Sequence, residues 1–411
     1  MSVREGYKQT EIGVIPEEWE VVNLGSQIDI VSGQSPSKFD LTGNTFPFFK
    51  VNQLNYCDKY LLDSEYKYDT NTLILKKGCV VFPKRGASIF TNKIRILGTD
   101  GSIDTNLMAL LPKDSLSNEY LYYWLMLFEL SSIADTSSVP QINNKHINPI
   151  SLPLPPLPEQ QKIAAILISV DNKIEVIDEQ IAKTETLKKG LMQKLLSEGV
   201  GHSEFKESEI GRIPKEWEVV RLPDITEKIT SGGTPSRKKP EYFENGTIGW
   251  LKTGELRDCY IYRAEEKITE DALKNSSAKL FPIDTVLIAM YGATIGQTAY
   301  LKQECATNQA CCALIFDQSV ANPLFYWKYF YFIKENLVSK GIGAGQPNIS
   351  QGIIKDLPVI YPPVAEQKRI ATILSTVDDK LDTLREKKFR YEKLKKGLMQ
   401  KLLTGEVRVK V

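Results

Sequence analysis

The chain is written twice. Glu11-Ile-Gly-Val-Ile-Pro-Glu-Glu-Trp-Glu-Val-Val-Asn-Leu24 returns as Glu209-Ile-Gly-Arg-Ile-Pro-Lys-Glu-Trp-Glu-Val-Val-Arg-Leu222, and Leu187-Lys-Lys-Gly-Leu-Met-Gln-Lys-Leu-Leu196 returns unaltered at Leu394 to Leu403. Between these markers the two copies barely agree. A frame kept twice around contents that vary twice predicts two sites of one kind that read two different things.

Each copy ends in a long proline-free segment whose apolar residues follow a seven-residue repeat, the signature of a coiled-coil helix. After Leu152-Pro-Leu-Pro-Pro-Leu-Pro158, one seam position reads Ile163, Val170, Ile177, Thr184 and Leu191, and the other Leu167, Ile174, Ile181, Lys188 and Leu195. After Tyr361-Pro-Pro363 come Ile370, Val377, Leu384, Tyr391 and Leu398, with Leu374, Leu381, Lys388, Lys395 and Leu402, at a constant offset of 207. About 38 residues at 1.5 Å each make each helix roughly 57 Å long. Polar seam positions, Thr184 and Lys188 in one copy and Lys388, Tyr391 and Lys395 in the other, are expected to fix register. The lysines clustered toward the helix ends read as a solvated face, with contact to a partner subunit or to phosphate as the alternative.

Reach decides direction. Were the helices parallel, the chain leaving Leu196 would have to return the full helix length before the repeated Glu209 segment, and the twelve residues between them span at most about 42 Å when extended. An antiparallel pair needs no return. The expected arrangement is two variable domains at opposite ends of a helical spacer, related by a pseudo-twofold, with the N-terminal segment meeting the end of the second helix.

At 411 residues the chain is too long for one ordinary core, and its 42% apolar, 25% charged composition is that of a soluble globular protein. It has no run of about eighteen apolar residues, and its start lacks the apolar stretch of a secretory signal, so a cytoplasmic location is expected. The six cysteines show no C-x-x-C spacing and only His146 and His202 are available to complete a zinc site, which favours free thiols. A net charge of +1 exerts no overall pull on a polyanion, so any basic surface for nucleic acid must be local.

The expected fold class is mixed α/β. Residues 1–24 form an N-terminal segment, 25–158 a first recognition domain, 159–208 a central helix, 209–363 the repeated segment with a second domain, and 364–411 a C-terminal helix. Within the domains, short runs such as Thr72–Leu75, Cys79–Phe82, Thr285–Ala289 and Cys312–Phe316, broken by Gly and Pro, predict strands. Each domain also holds one aromatic-rich helix, around Glu119–Phe128 and Pro323–Tyr331, better read as core than as a base-stacking platform.

Although the domains diverge, their punctuation matches. Ser32-Gly-Gln-Ser-Pro-Ser37 pairs with Ser231-Gly-Gly-Thr-Pro-Ser236, Lys84-Arg-Gly-Ala-Ser88 with Met290-Tyr-Gly-Ala-Thr294, and Thr105-Asn106 with Thr307-Asn308. A polar loop precedes each proline stretch, Ser137-Ser-Val-Pro-Gln-Ile-Asn143 and Gly343-Ala-Gly-Gln-Pro-Asn-Ile-Ser350. Four loops recurring in order make a candidate reading surface. From them the candidate DNA-contacting residues are Ser35, Lys38, Lys84, Arg85, Asn106, Gln141 and Asn143 in the first domain. In the second they are Thr234, Arg237, Lys238, Tyr291, Thr294, Asn308, Gln346 and Asn348. Arg and Lys pair with guanine acceptors, Asn and Gln with adenine, and hydroxyls and glycine amides with phosphate.

No Gly-rich phosphate loop, H-E-x-x-H, nucleophile elbow or metal cluster is present in the sequence, and no catalytic or metal-binding residue is assigned. Asn322-Pro-Leu-Phe325 is similar to the Asn-Pro-Pro-Phe of adenine methyltransferases, but it lacks the second proline and opens a helix where Pro in the first turn is expected.

The layout of variable domain, long helix, variable domain, long helix resembles the specificity subunits of type I restriction-modification systems. The resemblance spans the chain and rests on the I-P-x-x-W-E-V-V segments, the P-x-x-E-Q segments at Pro156 to Gln160 and Pro363 to Gln367, and the L-K-K-G-L-M-Q-K-L-L helix ends. It implies a non-catalytic subunit whose two domains recognise an asymmetric, bipartite double-stranded DNA target and whose helices hold two modification subunits. It also implies that those subunits use S-adenosylmethionine to methylate adenine and that restriction subunits use ATP and magnesium, with no cofactor in this chain. The residues alone leave two other readings open: a structural adaptor with two protein-binding domains on a coiled-coil spacer, and a self-sufficient enzyme, which the missing motifs disfavour.

Overall fold

The apolar runs between Gly and Pro turns become a five-stranded sheet in each copy. The computed structural model describes residues 4–69, 74–136, 138–341 and 348–410. It divides into two units, Met1–Glu179 with Glu386–Val411, and Gln180–Arg385, the boundary falling inside both long helices. In unit 1 the strand order is Ile28–Ser32, Leu107–Pro112, Val80–Pro83, Arg95–Leu97, Tyr60–Leu61. In unit 2 it is Thr226–Ser231, Cys311–Phe316, Val286–Ala289, Thr298–Leu301, Cys259–Ile261. In both sheets the first four strands pair antiparallel and the edge strand joins parallel. Val80–Pro83 and Val286–Ala289 are buried throughout, which is why they read as continuous apolar runs rather than alternating ones. Of the predicted strand at Thr72–Leu75, Thr72 and Leu73 lie outside the described residues.

One face of each sheet is covered by its aromatic helix, α1 (Asn118–Phe128) in unit 1 and α3 (Pro323–Phe332) in unit 2; the long helices α2 (Leu157–Leu195) and α4 (Val364–Leu403) complete the set. Tyr120, Tyr123, Phe325, Tyr326 and Phe330 are fully buried, so the aromatic stripes are core. Asn322 Oδ1 accepts the Phe325 main-chain N–H at 2.9 Å, so the methyltransferase-like tetrapeptide is a helix cap with proline in the first turn.

The repeated motifs are structural clamps. Trp19 and Trp217 are fully buried, and their indole N–H groups donate to Glu159 Oε2 at 3.0 Å and Glu366 Oε2 at 2.9 Å. The buried Gln160 and Gln367 each donate to a proline carbonyl, Pro155 at 2.9 Å and Pro362 at 2.8 Å. Each also accepts the main-chain N–H of Ser117 or Asn322, both at 2.8 Å, where the aromatic helix begins. The Glu-Gln pair therefore ties the first turn of each long helix to the tryptophan segment and to the aromatic helix. The proline stretches are not mere punctuation. Ser151–Leu154 pairs antiparallel with Glu20–Asn23, and Pro358–Tyr361 with Glu218–Arg221, with Pro at positions that need not donate.

What closes over each tryptophan follows a long helix. In unit 1 Arg408 reaches Glu159 Oε1 at 2.7 Å and Glu18 at 2.7 Å, and Tyr7 Oη donates to the Glu406 carbonyl at 3.3 Å, so the N-terminal segment meets the end of α4. In unit 2 His202 Nε2 lies 2.9 Å from Glu366 Oε1, and the Val200 N–H donates to the same oxygen at 2.9 Å.

The long helices run antiparallel within each unit. Asp171 meets Lys395 and Asp178 meets Lys388, both at 2.6 Å, in unit 1; Glu185 meets Arg385 at 2.8 Å and Lys188 meets Asp378 at 2.7 Å in unit 2. In both units, numbers rising on one helix pair with numbers falling on the other. Ile163, Leu167, Val170 and Ile177 of one seam and Ile370, Leu374, Leu381 and Leu384 of the other are buried. Lys188, Lys388 and Lys395, three of the polar seam positions, are paired across the helices. Each bonds an aspartate of the opposite helix, because antiparallel packing brings that carboxylate to the same level.

Candidate nucleic-acid interface

Antiparallel pairing puts the ends of alternate strands side by side, and this gathers the four recurring loops. In unit 1 the loops after Ile28–Ser32 and Val80–Pro83 and the loop before Leu107–Pro112 lie at one end of the sheet. Main-chain bonds lock them together: Gly33 N to Leu107 O at 3.1 Å, Gln34 N to Ile103 O at 3.0 Å, and Lys84 N to Asn106 O at 2.8 Å. The fourth loop joins through Ile142 N to Lys84 O and Gly86 N to Pro140 O, both at 2.8 Å. Unit 2 repeats the scheme, with Gly233 N to Thr307 O at 2.8 Å, Met290 N to Ala310 O at 2.9 Å and Ile349 N to Met290 O at 2.8 Å.

Two pairs of glycines explain the matched punctuation. A Cβ at Gly33 or Gly232 would sit 1.8 or 2.2 Å from the carbonyl oxygen of Asp104 or Thr307, which no side chain permits. Gly86 and Gly292 have φ of +83° and +89°, the left-handed region where glycine carries no steric penalty. Since the frame is made by main chain and glycine, the other side chains are free to differ.

Those side chains do differ. In unit 1, Arg85, Lys38, Asn106 and Asn143 are exposed, and Lys84 is half-buried. Burial, helped by the neighbouring Arg85 charge and opposed by Asp104, draws the Lys84 pKa below its ordinary value. Asp104 is buried behind this loop and its pKa is raised by burial, against the bond its Oδ1 accepts from the Asn106 N–H at 2.6 Å. Ser35 bonds Ser37 at 2.8 Å and starts the turn that presents Lys38. Gln141 exchanges two main-chain bonds with Asp135, both at 3.0 Å, which leaves its side chain outside the frame. The Asn143 N–H donates to His146 Nδ1 at 3.1 Å.

In unit 2, Thr234 Oγ1 donates to Gln309 Oε1 at 2.5 Å, Asn308 Oδ1 accepts from the Cys311 thiol at 3.3 Å, and Tyr291 is 37% exposed. Thr294 is half-buried, whereas Lys238 and Asn348 are exposed. Gln346 lies outside the described residues. Arg237 is engaged: it bonds Glu266 at 2.6 Å, and its guanidinium stacks over Phe243 at 4.2 Å and Trp250 at 5.0 Å. Burial would raise the Glu266 pKa, but the bonds from Lys252 and Arg237 hold it below the ordinary range.

Sequence reasoning passed over two exposed apolar residues at this end of unit 1, Phe90 at 56% and Val139 at 49%, and the buried Asp104. Phe90 and Val139 carry no sequence signal, because exposure of a single apolar residue depends on the turn that holds it. Among the described residues no cluster of His, Cys, Asp and Glu that could hold a metal occurs, all six cysteines are free, and no helix is long and apolar enough to cross a membrane.

Two copies of one sheet, each with four loops of donor side chains locked at one end and carried on long helices, define a duplicated recognition protein. A family model described as the type I restriction modification DNA specificity domain matches residues 16–186 and 214–391. The chain is 30% identical to the type I restriction enzyme MjaVIII specificity subunit of Methanocaldococcus jannaschii, covering 99% of this chain and 97% of that one. It is 27% identical to the EcoR124I/EcoR124II specificity subunit of Escherichia coli over 65% of this chain and 63% of that one. In fold it is similar to the type I system S subunit from M. genitalium, with a TM-score of 0.59, 15% identity and 98% of both chains covered. It is equally similar, at a TM-score of 0.59 and 17% identity, to a chain from a structure on complex assembly and conformational transition of the type I R-M system, covering 96% of this chain and 99% of that one. The chain belongs to the family of type I restriction-modification DNA specificity subunits. As a specificity subunit it is not an enzyme on its own.

Proposed function

We propose that the four-loop end of each sheet reads one half of an asymmetric, two-part DNA target, and that the helix pair sets the spacing between the halves and holds two modification subunits, with restriction subunits joining the complex. One observation carries the reading: the main-chain bonds that hold the four loops recur in both units, while the side chains they present do not. Lys84, Arg85, Lys38, Asn106, Gln141 and Asn143 serve the first half, and Tyr291, Thr294, Thr234, Asn308, Lys238 and Asn348 the second; Gln346 stays a candidate on sequence grounds. Arg237 is assigned a supporting role, since its guanidinium is occupied by Glu266 and the two aromatic rings. The modification subunits supply S-adenosylmethionine chemistry and the restriction subunits ATP and magnesium chemistry, and the assembly works in the cytoplasm, where chromosomal DNA is accessible.

The test is a gel shift of the chain with and without its co-expressed modification subunit, together with a map of methylated adenines in the host genome. A single motif of two unlike halves separated by a fixed spacer is expected. A palindromic motif, or methyl transfer by the chain alone, overturns the reading, and binding to a protein ligand without DNA supports the adaptor alternative.

A further inference from the structure

Asp171 and Asp378 occupy the same place in α2 and α4, 207 residues apart, and so do Lys188 and Lys395. The aspartates make the same divided use of their oxygens. In unit 1, Asp171 Oδ1 holds Lys395 Nζ of the opposite helix at 2.6 Å and Oδ2 accepts from Tyr123 Oη of α1 at 2.5 Å. In unit 2, Asp378 Oδ1 holds Lys188 Nζ of the opposite helix at 2.7 Å and Oδ2 bonds Lys328 Nζ of α3. Each carboxylate thus joins three bodies: its own helix, the opposite helix and the aromatic helix of its recognition domain.

The third contact is tightly confined. Tyr123 is fully buried and accepts a bond from Lys59 Nζ at 3.2 Å, while the Lys328 side chain is 5% exposed and its ammonium sits 3.9 Å over the Trp327 ring. Apart from these bonds and the Glu-Gln clamps at the first turn of each long helix, each domain is seated on its helix by apolar side chains, with Ile163 and Leu167 in the core that contains α1, and Ile370 and Leu374 in the core that contains α3. Apolar packing is non-directional and tolerates small rotations. A charge-assisted bond with both carboxylate oxygens committed does not, and such buried polar contacts fix geometry more than they add stability.

We infer that Asp171 and Asp378 are positioning residues for DNA recognition, each fixing the rotation of its recognition domain on the helix pair and thereby the phase at which its half-site must be presented. This rests on the proposed reading of two half-sites at a set spacing. Neither residue is assigned a contact with DNA.

The experiment assembles the full chain with its modification subunits and measures adenine methylation on targets whose spacer runs from two base pairs shorter to two longer than the genomic motif. Asp171→Asn and Asp378→Asn are expected to keep the bases of both halves but to lose about tenfold of the preference for the native spacer, equivalent to about 1.4 kcal/mol. Tyr123→Phe, which deletes one hydroxyl on the domain side, and Lys188→Met, which removes the ammonium that bonds Asp378 from the opposite helix and lies 5.3 Å from the Tyr331 ring centroid of α3, are expected to relax spacing in the same way, and they serve if an aspartate variant does not fold. Variants that melt at lower temperature yet retain the wild-type spacer preference overturn the inference and leave the carboxylates structural. A wild-type complex indifferent to spacer length overturns the two-half-site reading itself, an outcome visible before any variant is made.

Discussion

Lys84 and Arg85 stand at the sheet end of unit 1 where Met290 and Tyr291 stand in unit 2, yet the residues that lock the surrounding loops, Gly33 with Gly232, Gly86 with Gly292 and Ile142 with Ile349, correspond one for one. The contrast separates two selections. The frame is made of main-chain bonds, glycine conformations and the Trp-Glu-Gln clamps, which allow almost no chemical latitude. The presented side chains are held by none of these, so on the proposed reading one fold can serve unrelated targets.

If frame and contents are separable, exchanging residues 25–158 for the corresponding domain of a relative is expected to replace one half of the methylated motif completely and leave the other untouched. Methylome sequencing decides it, and a change in both halves breaks the comparison.

A second experiment compares the two clamps. Arg408→Ala leaves Glu159, a carboxylate with only 3% of its side chain exposed, with the Trp19 donor but no cation, and the expected loss is about 3 kcal/mol, typical of a broken buried ion pair. His202→Ala leaves Glu366 with the Trp217 and Val200 donors, and about 1 kcal/mol is expected from one lost hydrogen bond. Urea unfolding midpoints measure both; equal losses would show that the closures are energetically interchangeable.

Replacing Lys84 and Arg85 together by Ala is expected to weaken DNA binding of the assembled complex by about 1–3 kcal/mol if a base contact is lost. If the contact is to phosphate, the salt dependence flattens and the motif is unchanged. Unaltered affinity and salt slope would return both residues to ordinary surface charge.

The smallest effect concerns Lys59, whose pKa burial draws down to about 8, against the opposing charges of Asp171 and Glu119. Between pH 8 and about 10.4, the ordinary lysine value, the unfolded chain keeps a proton that the folded chain has released. Stability contributed by this group therefore rises with pH across that window. Solvent screening of a partly exposed group limits the rise to about 1 kcal/mol. Lys59→Met is expected to remove that rise, seen as a shallower alkaline slope of the unfolding midpoint. Identical slopes in the two proteins would mean the ammonium is not desolvated as the ring cage of Tyr122 and Tyr123 implies.

The duplication, the heptad seams, the antiparallel direction and the aromatic cores were legible in the amino-acid sequence, because these depend on spacing along the chain and on reach. The sequence also marked the four loops that gather at one sheet end, since Gly and Pro positions are local demands of backbone conformation. The folded structure alone established that Ser151–Leu154 is a strand beside Glu20–Asn23. Only it showed that Glu159 and Gln160 are clamps, that Arg237 is committed to Glu266, and that Asp171 and Lys395 face each other. Each of these is a contact between residues far apart in the chain, and no local propensity or period encodes which distant carboxylate a given cation will meet once the helices have packed.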